Sequence, residues 1–575
     1  MNTGGCETGP AVPKPGNPDI VYANCKGRFS VYNKSTGQEQ SYDVGAAYMY
    51  GNNPKDLKFR FQRVSPIHVS PHNPDVVYHT SQFVHKTMDD GKTWETISPD
   101  LTAFEADKQV ISGSPITRDI TGEEFYSTIY AIQESKIEEG LIWVGANDGP
   151  VHVTKDGGKK WTNVTPKSLP GGGRIDCVEP SPHQAGKAYF SSLRYQLGDW
   201  KPYIYKTTNY GKSWKLITAG LPTDHPVRVV REDPDREGLL YAGTEFGIFI
   251  SFDDGENWQS FQKNLPVTPI TDIKVHRKDL VMSTMGRSFW IMDNLSSLHQ
   301  NAEQLSSSAK LFDPKEQIRY RYRGRSGSEH INYPLPAATI EYYLPKDTKA
   351  PVKLEIMDAN GQLIRTLVSS SKDEGKSTVI RDMATNAIEY SVNSNLSAKK
   401  GIHRFSWDMR HNGSWDASSR RSYARGPMVS PGTYKIKLTV DGKSMESSLK
   451  LVMDPKVKAS GVTLADLKEQ EKIALQIVDL LSETKKMSAK ISKEHKKLKA
   501  RNDLSSSEKD RFATLDKLNK ELETAQGTYM RPMLVAQINY LYGIVGRADQ
   551  VPGKDVYERL EELKAEKAKL EAMMD

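Results

Sequence analysis

Two carboxylates, Asp148 and Glu245, stand in short polar turns, ANDG and GTEFG, that follow apolar runs. A pair of carboxylates can cleave a glycosidic bond when one acts as the acid and the other as the base or nucleophile. Asp148 and Glu245 are therefore the catalytic pair that the sequence predicts best. The simpler interpretation, which we favour, is that each carboxylate caps its own tight turn through local hydrogen bonds.

Further polar residues fall in turns that we expect at the same end of the predicted strands. Arginines, amides and carboxylates around a funnel are the groups with which a protein recognises a sugar or a peptide. Asp119 and Glu123, within a long insert at 98–127, are additional candidates. The predicted binding-face residues are Arg28, Asn147, Arg174, Arg194, His225 and Arg287.

Four copies of one short pattern position these turns. Each copy follows Ser/Thr-x-Asp/Asn-x-Gly-x-x-Trp, and the copies recur at an irregular interval of roughly 45 to 65 residues, as propeller blades do. The Asp or Asn accepts hydrogen bonds from nearby amides, and the glycine supplies a positive φ. We expect the pattern residues to be structural: Asp89, Trp94, Asp156, Trp161, Asn209, Trp214, Asp253 and Trp258.

These copies resemble Asp-box (BNR) repeats, which occur in sialidases, sortilin-type ectodomains and tandem-propeller xyloglucanases. The segments KPYIYKTTNYGKSW, YAGTEFGIFISFDDGENW and STMGRSFWIMDN are similar to those of large bacterial BNR-repeat, sortilin-like "glycosyl hydrolase" proteins. The resemblance covers essentially the whole chain and begins partway through the family pattern. It implies the C-terminal portion of a double-propeller protein that is secreted or held at the cell surface or in the periplasm.

Sialidase activity would require three arginines converging on a carboxylate, and Arg174, Arg194 and Arg287 could supply them. The Arg-Ile-Pro signature of sialidases is absent, so we do not expect this activity. Xyloglucanase-like enzymes place their acid and base between two propellers, and the sequence predicts one. No phosphate-binding loop, dinucleotide fingerprint, Cys/His cluster with metal-ligand spacing or nucleophile elbow occurs. We therefore expect neither a cofactor nor a metal.

The predicted fold is mainly β and begins with a propeller. Around each copy the sequence follows the order strand A, turn, strand B, turn, strand C, Asp box, strand D, which is one blade. Six such units lie between about residue 5 and residue 295, with the first and last incomplete. We predict an Asp-box propeller of about six to seven blades at 1–295. Either both chain ends close a split blade, or an N-terminal part outside this chain completes it.

The remaining sequence predicts three further segments. Residues 296–337 form a linker, whose basic stretch IRYRYRGRSGSEH we expect to lie as a strand across a domain surface. Residues 338–455 alternate apolar and polar positions between Asn-Gly and Asp-Gly turns, which is typical of a sandwich, and resemble an immunoglobulin-like domain. Residues 463–575 have helical spacing and predict a helical bundle, with Ser507 and Asp510 as a capping box.

Composition narrows the classes of partner. The net charge of +7 over 575 residues comes without an arginine-rich arm, so we expect no nucleic acid partner. The sequence contains no run of 18 apolar residues, so we expect no direct membrane insertion. The start, MNTGGCETGP, lacks the features of a signal peptide, so export follows from the resemblance alone. Cys6, Cys25 and Cys177 fit neither a disulfide framework nor a zinc site; Cys6 and Cys25 either bridge or are small buried residues.

Together these patterns favour an exported, multidomain propeller protein that binds a protein or glycan through the propeller face without catalysis. The alternative is a glycoside hydrolase, xyloglucanase- or sialidase-like, that acts on a polysaccharide with paired carboxylates. The partner could also be a separate N-terminal propeller or a cell-surface complex.

Overall fold

The computed structural model describes residues 5, 9–113, 125–300, 307–321, 336–370, 378–381, 389–392, 395–416 and 426–574. Cys6, Asp119 and Glu123 lie outside the described residues, and so does much of the basic stretch at 318–330. The chain forms two compact units, Met1–Leu295 and Ser296–Asp575.

The first unit contains six antiparallel sheets that follow one another along the chain, and in each sheet the strands are hydrogen-bonded in chain order. Sheet 1 comprises β1 (Ala11–Lys14), β2 (Asn17–Cys25), β3 (Arg28–Asn33) and β4 (Gln38–Asp43), and sheet 2 comprises β5 (Ile67–Val69), β6 (Val77–Thr80), β7 (Val84–Thr87) and β8 (Glu95–Thr96). Sheet 3 comprises β9 (Ile129–Glu134), β10 (Ile142–Ala146), β11 (Val151–Thr154) and β12 (Trp161–Asn163), and sheet 4 comprises β13 (Arg174–Pro180), β14 (Ala188–Leu193), β15 (Ile204–Thr207) and β16 (Lys215–Leu216). Sheet 5 comprises β17 (Val227–Glu232), β18 (Leu240–Thr244), β19 (Gly247–Ser251) and β20 (Gln259–Ser260), and sheet 6 comprises β21 (Ile270–His276), β22 (Asp279–Thr284) and β23 (Phe289–Met292).

The expectation that the first sheet is incomplete is wrong. The segment AVPK forms β1 and pairs with β2, so sheet 1 has all four strands. A proline in a four-residue segment gives little strand signal, although proline is tolerated on an edge strand. Sheet 6 has three strands within the described residues.

Consecutive sheets pack against each other through their first strands: β5 against β1, β9 against β5, β13 against β9, β17 against β13, and β21 against β17. Apolar side chains fill the space between neighbouring sheets. Trp143 and Val153 of sheet 3, for example, share one core with Phe190 and Tyr205 of sheet 4. Successive four-stranded sheets stacked in this way form a β-propeller-like unit.

Strand direction divides the turns of the first unit into two faces. Because the strands alternate in direction, the B–C turns and the D–A connections lie at the same end of each sheet, where strand A also begins. We call this end the BC face. The A–B turns and the four C–D turns that carry the repeated pattern lie at the other end, which we call the CD face.

In the second unit, two sheets face each other across one apolar core. The first comprises β24 (Lys310–Leu311), β26 (Ala338–Leu344) and β31 (Gly401–Trp407), and the second comprises β25 (Gln317–Arg319), β33 (Lys443–Met453), β32 (Gly432–Val440), β27 (Lys353–Met357) and β28 (Leu363–Val368). A separate hairpin pairs β29 (Thr378–Arg381) with β30 (Glu389–Val392). Ile340 and Trp407 of the first sheet share the core with Leu354, Ile436 and Leu451 of the second. Thus β24 and β25, within the predicted linker, belong to the sandwich.

Helices complete the second unit: α1 (Ser296–His299), α2 (Pro455–Ala459), α3 (Leu464–Lys499), α4 (Ser506–Leu522), α5 (Leu534–Val545) and α6 (Lys554–Glu571). The last four share one apolar core. The capping box of α4 is Ser505 with Glu508, so the assignment to Ser507 and Asp510 is wrong by two residues. Both serines have an acid three positions later, and the helix begins at the earlier pair. Among the described helices, none is long and apolar enough to cross a bilayer.

Candidate functional site

The four C–D turns make the same hydrogen bonds. In the last copy the Ser251 hydroxyl donates to Asp253 Oδ1 at 2.8 Å, and the amides of Gly255 and Asn257 donate to Ser251 Oγ and Asp253 Oδ1 at 3.0 and 2.9 Å. Asp254 and Gly255 have φ of 59° and 84°, which favours glycine at the second position. Thr87 with Asp89, Thr154 with Asp156 and Thr207 with Asn209 repeat these bonds.

The tryptophan of each copy contacts the preceding sheet. Trp258 Nε1 donates to the Ile217 carbonyl oxygen at 2.8 Å. Trp94 instead packs edge-on against Phe29 of sheet 1, with ring centroids 5.1 Å apart. Trp161 donates to the carbonyl of Ile97 at 2.9 Å, and Trp214 donates to that of Val164 at 2.7 Å. The repeated residues therefore close turns and join sheets.

The BC face carries a cluster of polar side chains at the beginning of three first strands. We call it the Arg228 cluster; it consists of Tyr130 on β9, Arg174 and Asp176 on β13, Arg228 on β17, and Glu245 in the B–C turn of sheet 5. Arg174 forms two hydrogen bonds to Asp176, one of them at 2.9 Å, and its guanidinium lies 4.5 Å from the centre of the Tyr130 ring. Arg228 lies between two carboxylates, with Nε 2.5 Å from Glu245 Oε1 and one terminal nitrogen 3.7 Å from Asp176 Oδ2.

The charges of the Arg228 cluster balance, because two guanidiniums face two carboxylates. Burial lowers the pKa of Arg174, but the neighbouring Asp176 carboxylate more than offsets this, and the pKa lies above its usual value. Burial also raises the pKa of Tyr130. The cluster is thus a fixed, electrically neutral set of donors and acceptors at one end of the inner strands.

A second ion-paired group continues along the same inner strands. Arg231 lies 2.9 Å from Glu179 and 2.7 Å from Asp272, and a terminal nitrogen of Arg231 donates to Cys177 Sγ at 2.9 Å. Cys177 is a free, buried cysteine, and burial raises the pKa of its thiol to about 11. Charged side chains of the first strands are therefore paired with charged residues of neighbouring sheets.

The predicted pair Asp148 and Glu245 is not brought together. Asp148 is 2% exposed, and its Oδ2 accepts hydrogen bonds from the amides of Ala103 and Phe104 at 2.9 and 3.3 Å. Burial raises the pKa of Asp148. Glu245 pairs with Arg228 instead, and within the described residues no hydrogen bond or ion pair joins Asp148 to Glu245. Asp148 thus anchors the connection that follows sheet 2.

Two other predicted binding residues hold the backbone. Asn147 accepts a hydrogen bond from the Thr128 amide at 2.9 Å and donates to the Phe125 carbonyl at 3.0 Å. Arg194 donates to Asp199 at 2.9 Å and to the carbonyl oxygens of residues 170–172 at 2.5 to 3.0 Å. Both side chains stabilise connections of the BC face.

The remaining predicted residues have other surroundings. His225 contacts Asp224 at 2.8 Å, and its ring packs 4.7 Å from that of Phe246. Arg28 and Arg287 are exposed. Arg174, Arg194 and Arg287 have different surroundings, and no described contact brings the three guanidiniums together.

Among the described residues of the first unit, five of the six exposed aromatic side chains lie on the BC face, and the sixth, Phe289, is on β23. The exposed fractions of the five range from 37% to 79%. The rings of Tyr48 and Tyr50 lie 5.1 Å apart, and the ring of Trp200 lies 5.7 Å from that of Tyr195. Exposed aromatic rings that share one face of a unit offer stacking surfaces to a ligand. The five exposed rings in B–C turns and D–A connections are those of Tyr48, Tyr50, Phe104, Trp200 and Phe246.

No protein-family model matches the chain. Among curated proteins it is similar to the oligoxyloglucan-reducing end-specific xyloglucanase of Emericella nidulans, with 24% identity over 259 residues. The match covers 38% of this chain and 29% of the relative. The chain therefore spans less than a third of that relative's length.

Solved structures with detectable similarity include glycoside hydrolases. The GH74 xyloglucanase of Xanthomonas campestris has 16% identity and a TM-score of 0.36, with 50% of this chain and 44% of the other covered. The GH74 enzyme of Niastella koreensis has 12% identity and a TM-score of 0.34, with 76% and 64% covered. YCF48 bound to D1 peptide has 12% identity and a TM-score of 0.32, with 50% and 82% covered.

The sequence did not single out Tyr130, Asp176 or Arg228. Each lies on a first strand, whereas we expect site residues in the turns at one end of the strands. A usable signal was present: RIDCVEP and VRVVRE place charged residues within short apolar strands, where a charge is costly unless it is paired. Several such strands in succession indicate a line of ion pairs along the inner strands.

Proposed function

We propose that the BC face of the first unit binds an uncharged glycan chain and does not cleave it. The observation that carries this proposal is the occurrence of five exposed aromatic rings on the same face as the neutral Arg228 cluster. The C–H face of a sugar ring packs on an aromatic ring, while sugar hydroxyls exchange hydrogen bonds with planar polar groups.

The charge balance of the face favours an uncharged ligand. Arg174 and Arg228 are compensated by Asp176 and Glu245, so the cluster offers no excess charge to an ionic partner. Its donors and acceptors are nevertheless held in place, which lowers the entropy cost of binding. Hydroxyl groups, which both donate and accept, fit such a set.

The carboxylates of the face are poorly arranged for hydrolysis. A glycosidase needs one carboxyl group that holds a proton and a second carboxylate across the scissile bond. Asp148 is buried under the backbone of Ala103 and Phe104. Glu245 faces Arg228, with Oε1 2.5 Å from Nε, so its carboxylate is already engaged in an ion pair. These contacts support a binding role.

A glycoside hydrolase is the second candidate, and one observation favours it. Asp176 and Glu245 both contact Arg228, so one guanidinium brings two carboxylates together. Catalytic carboxylates of glycosidases lie about 5 to 10 Å apart, a separation that two groups on one arginine can reach. The curated relative is a xyloglucanase by name.

The test combines binding and cleavage. The chain is titrated with neutral plant and algal oligosaccharides in a calorimeter, and reducing ends are measured in parallel. We expect binding without release, and we expect Trp200→Ala with Phe246→Ala to weaken binding about tenfold, as loss of an aromatic contact does. Tyr529→Ala, at a fully exposed tyrosine of the second unit, is the matched control. Release that Glu245→Gln abolishes would overturn the non-catalytic proposal in favour of the second candidate.

The proposal extends to the rest of the chain. The shared hydrogen bonds of the four C–D turns support their assignment as Asp-box (BNR) repeats. The two facing sheets of the second unit support an immunoglobulin-like spacer, and the four helices with a common core support a helical bundle. Export to the cell surface rests on the family resemblance.

A further inference from the structure

A groove lies between the outer part of sheet 3 and the C–D turn of sheet 4. Its volume is about 780 Å3, within the range of about 300 to 1,000 Å3 that ligand sites occupy. Four lysines line it: Lys155, Lys160, Lys167 and Lys212. We call it the lysine groove.

The charge of the lysine groove is not compensated. All four lysines are exposed, and among the described ion pairs none involves them. Lys155 lies 4.0 Å from the centre of the Tyr210 ring. The one acid that lines the groove, Asp156, accepts hydrogen bonds from Thr154 and the Lys160 amide. The groove therefore presents a local excess of positive charge.

The corresponding place between sheets 4 and 5 is neutralised. There Lys215 Nζ lies 2.6 Å from Glu256, and Lys206 Nζ lies 3.2 Å from Asp254. In the repeated pattern, the position of Glu256 is occupied in sheet 4 by Lys212. Likewise, Tyr210 of sheet 4 occupies the position of Asp254. The turn that borders the lysine groove thus lacks both acids.

From this charge contrast we propose that the lysine groove binds an acidic polysaccharide, a glycan chain that carries carboxylate or sulfate groups. The ammonium groups pair with the anionic groups, and Thr162, Asn163 and Ser213 along the same groove offer hydrogen bonds to sugar hydroxyls.

A single-stranded nucleic acid fits the lysine groove less well. Such a ligand needs exposed aromatic faces on which bases stack. Lys155 covers the Tyr210 ring. Trp214 is half-buried and packs edge-on against Phe190 at 4.8 Å. The groove therefore offers ionic and hydroxyl contacts without a stacking surface.

The lysine groove is independent of the glycan site on the BC face. Its bordering turn, at residues 207–214, belongs to the CD face. The groove also includes residues 164–168 of the D–A connection after sheet 3, but it shares no residue with the Arg228 cluster or with the five exposed rings of the BC face. The two sites also differ in charge, one being neutral and the other basic. We therefore expect loss of binding at one site to leave binding at the other intact.

The experiment uses the full chain and affinity electrophoresis through gels that contain polygalacturonate, dextran sulfate or neutral dextran. We expect retardation by at least one of the two acidic polymers and none by dextran. The variant Lys160→Glu with Lys212→Glu should weaken that retardation about tenfold at low salt, since it reverses two charges in the groove. Polygalacturonate and dextran sulfate identify the preferred anionic group.

The matched control is Lys55→Glu with Lys92→Glu, which changes the net charge equally at exposed lysines outside the groove. It should retain binding within about twofold, as distant exposed charges are screened. Equal loss in both variants, retardation by neutral dextran alone, or no retardation by either acidic polymer would overturn the proposal. So would tighter binding of oligothymidylate than of both acidic glycans.

Discussion

The Tyr22 hydroxyl of sheet 1 donates a hydrogen bond at 2.6 Å to Asp90 Oδ1, in the C–D turn of sheet 2. Three sheets further along, Tyr189 of sheet 4 makes the same bond to Asp254 of sheet 5. In both cases the acid directly follows the Asp of the repeated pattern, Asp89 or Asp253, and has a positive φ, 57° and 59°. In these two of the four repeated turns, a carboxylate therefore points at the preceding sheet.

Removing the Tyr22 hydroxyl should destabilise the first unit. Tyr22→Phe removes one partly buried donor from the Asp90 carboxylate and leaves Lys14 Nζ, at 3.3 Å, as the other. Hydrogen bonds to charged groups contribute about 1.5–3 kcal/mol. We expect a loss of that size in the free energy of unfolding, measured by urea denaturation with tryptophan fluorescence. Tyr529→Phe, at an exposed position, should change it by less than about 0.5 kcal/mol. Equal effects would show that the hydrogen bond contributes nothing.

Asparagine and alanine at position 253 of the repeated turn should differ in their effect on the free energy of unfolding. Asn209 already occupies this position in sheet 4 and keeps the bond from the amide four residues later at 3.0 Å. Asp253→Asn should therefore cost less than about 1 kcal/mol, whereas Asp253→Ala should cost about 1–3 kcal/mol because amide and hydroxyl donors lose their acceptor. Thermal unfolding of both variants, compared with the parent chain, measures the difference.

The contrast between turn and cluster explains what sequence can predict. The hydrogen bonds of Ser251, Asp253 and Asn257 span at most four residues, so a local pattern specifies them. The Arg228 cluster combines residues up to 115 positions apart, from Tyr130 to Glu245, and it exists because three first strands begin side by side. No spacing within one segment records that arrangement.

The same distinction holds for the predicted site. Asp148 lies in a polar turn, as expected, but its hydrogen bonds go to Ala103 and Phe104 in a connection 44 to 45 residues earlier. Which connection folds over the turn depends on the packing of sheet 2 against sheet 3. The carboxylates could be located on the BC face from strand order, whereas their partners could not.

Acid should weaken the first unit through buried histidines. Burial lowers the pKa of His68 and His85 to about 3 and that of His79 to about 4. An exposed histidine has a pKa of about 6.5, so the unfolded chain takes up protons first as the pH falls. Stability present at pH 7 is therefore lost between about pH 6.5 and pH 3. Urea denaturation at pH 7, 6, 5 and 4 measures the slope.

His68→Gln provides the control for this pH dependence. His68 Nε2 accepts a hydrogen bond from the Glu134 amide at 3.1 Å, and a glutamine oxygen can accept the same bond without titrating. The variant should show a shallower loss of stability between pH 6.5 and pH 4. An unchanged slope would assign the acid sensitivity to other groups.

In the second unit, Asp549 should be critical. Its side chain is 4% exposed and pairs with Arg319 at 2.8 Å and Arg321 at 2.6 Å. Although burial alone would raise the pKa of Asp549, the two guanidiniums keep it below its usual value. Asp549→Ala would leave two arginines without their acid, which costs about 3–5 kcal/mol for a buried pair.

An exposed ion pair of the second unit serves as the comparison for Asp549. Lys554 and Glu558 lie 3.0 Å apart on the surface of α6, and such pairs contribute little. Glu558→Gln should therefore leave the unfolding midpoint nearly unchanged, while Asp549→Ala lowers it strongly. Similar midpoints for the two variants would contradict a structural role for Asp549.

Substitution of Glu245 should weaken ligand binding, and we expect no glycan cleavage by the parent chain or by the variant. Glu245→Gln removes the charge that compensates Arg228, so the Arg228 cluster gains a net positive charge. The Arg228 guanidinium then shifts from the position in which it contacts an uncharged glycan. We expect about tenfold weaker binding of a neutral oligosaccharide, equivalent to about 1.4 kcal/mol, with no reducing ends released by either chain.

Asp148→Asn is the control for Glu245→Gln. It retains an oxygen acceptor for the amides of Ala103 and Phe104 and should bind like the parent. Because Asp148 is buried and Glu245 belongs to the Arg228 cluster, weaker binding in Asp148→Asn alone would place the ligand over the connection at 103–104 and contradict a site at Arg228.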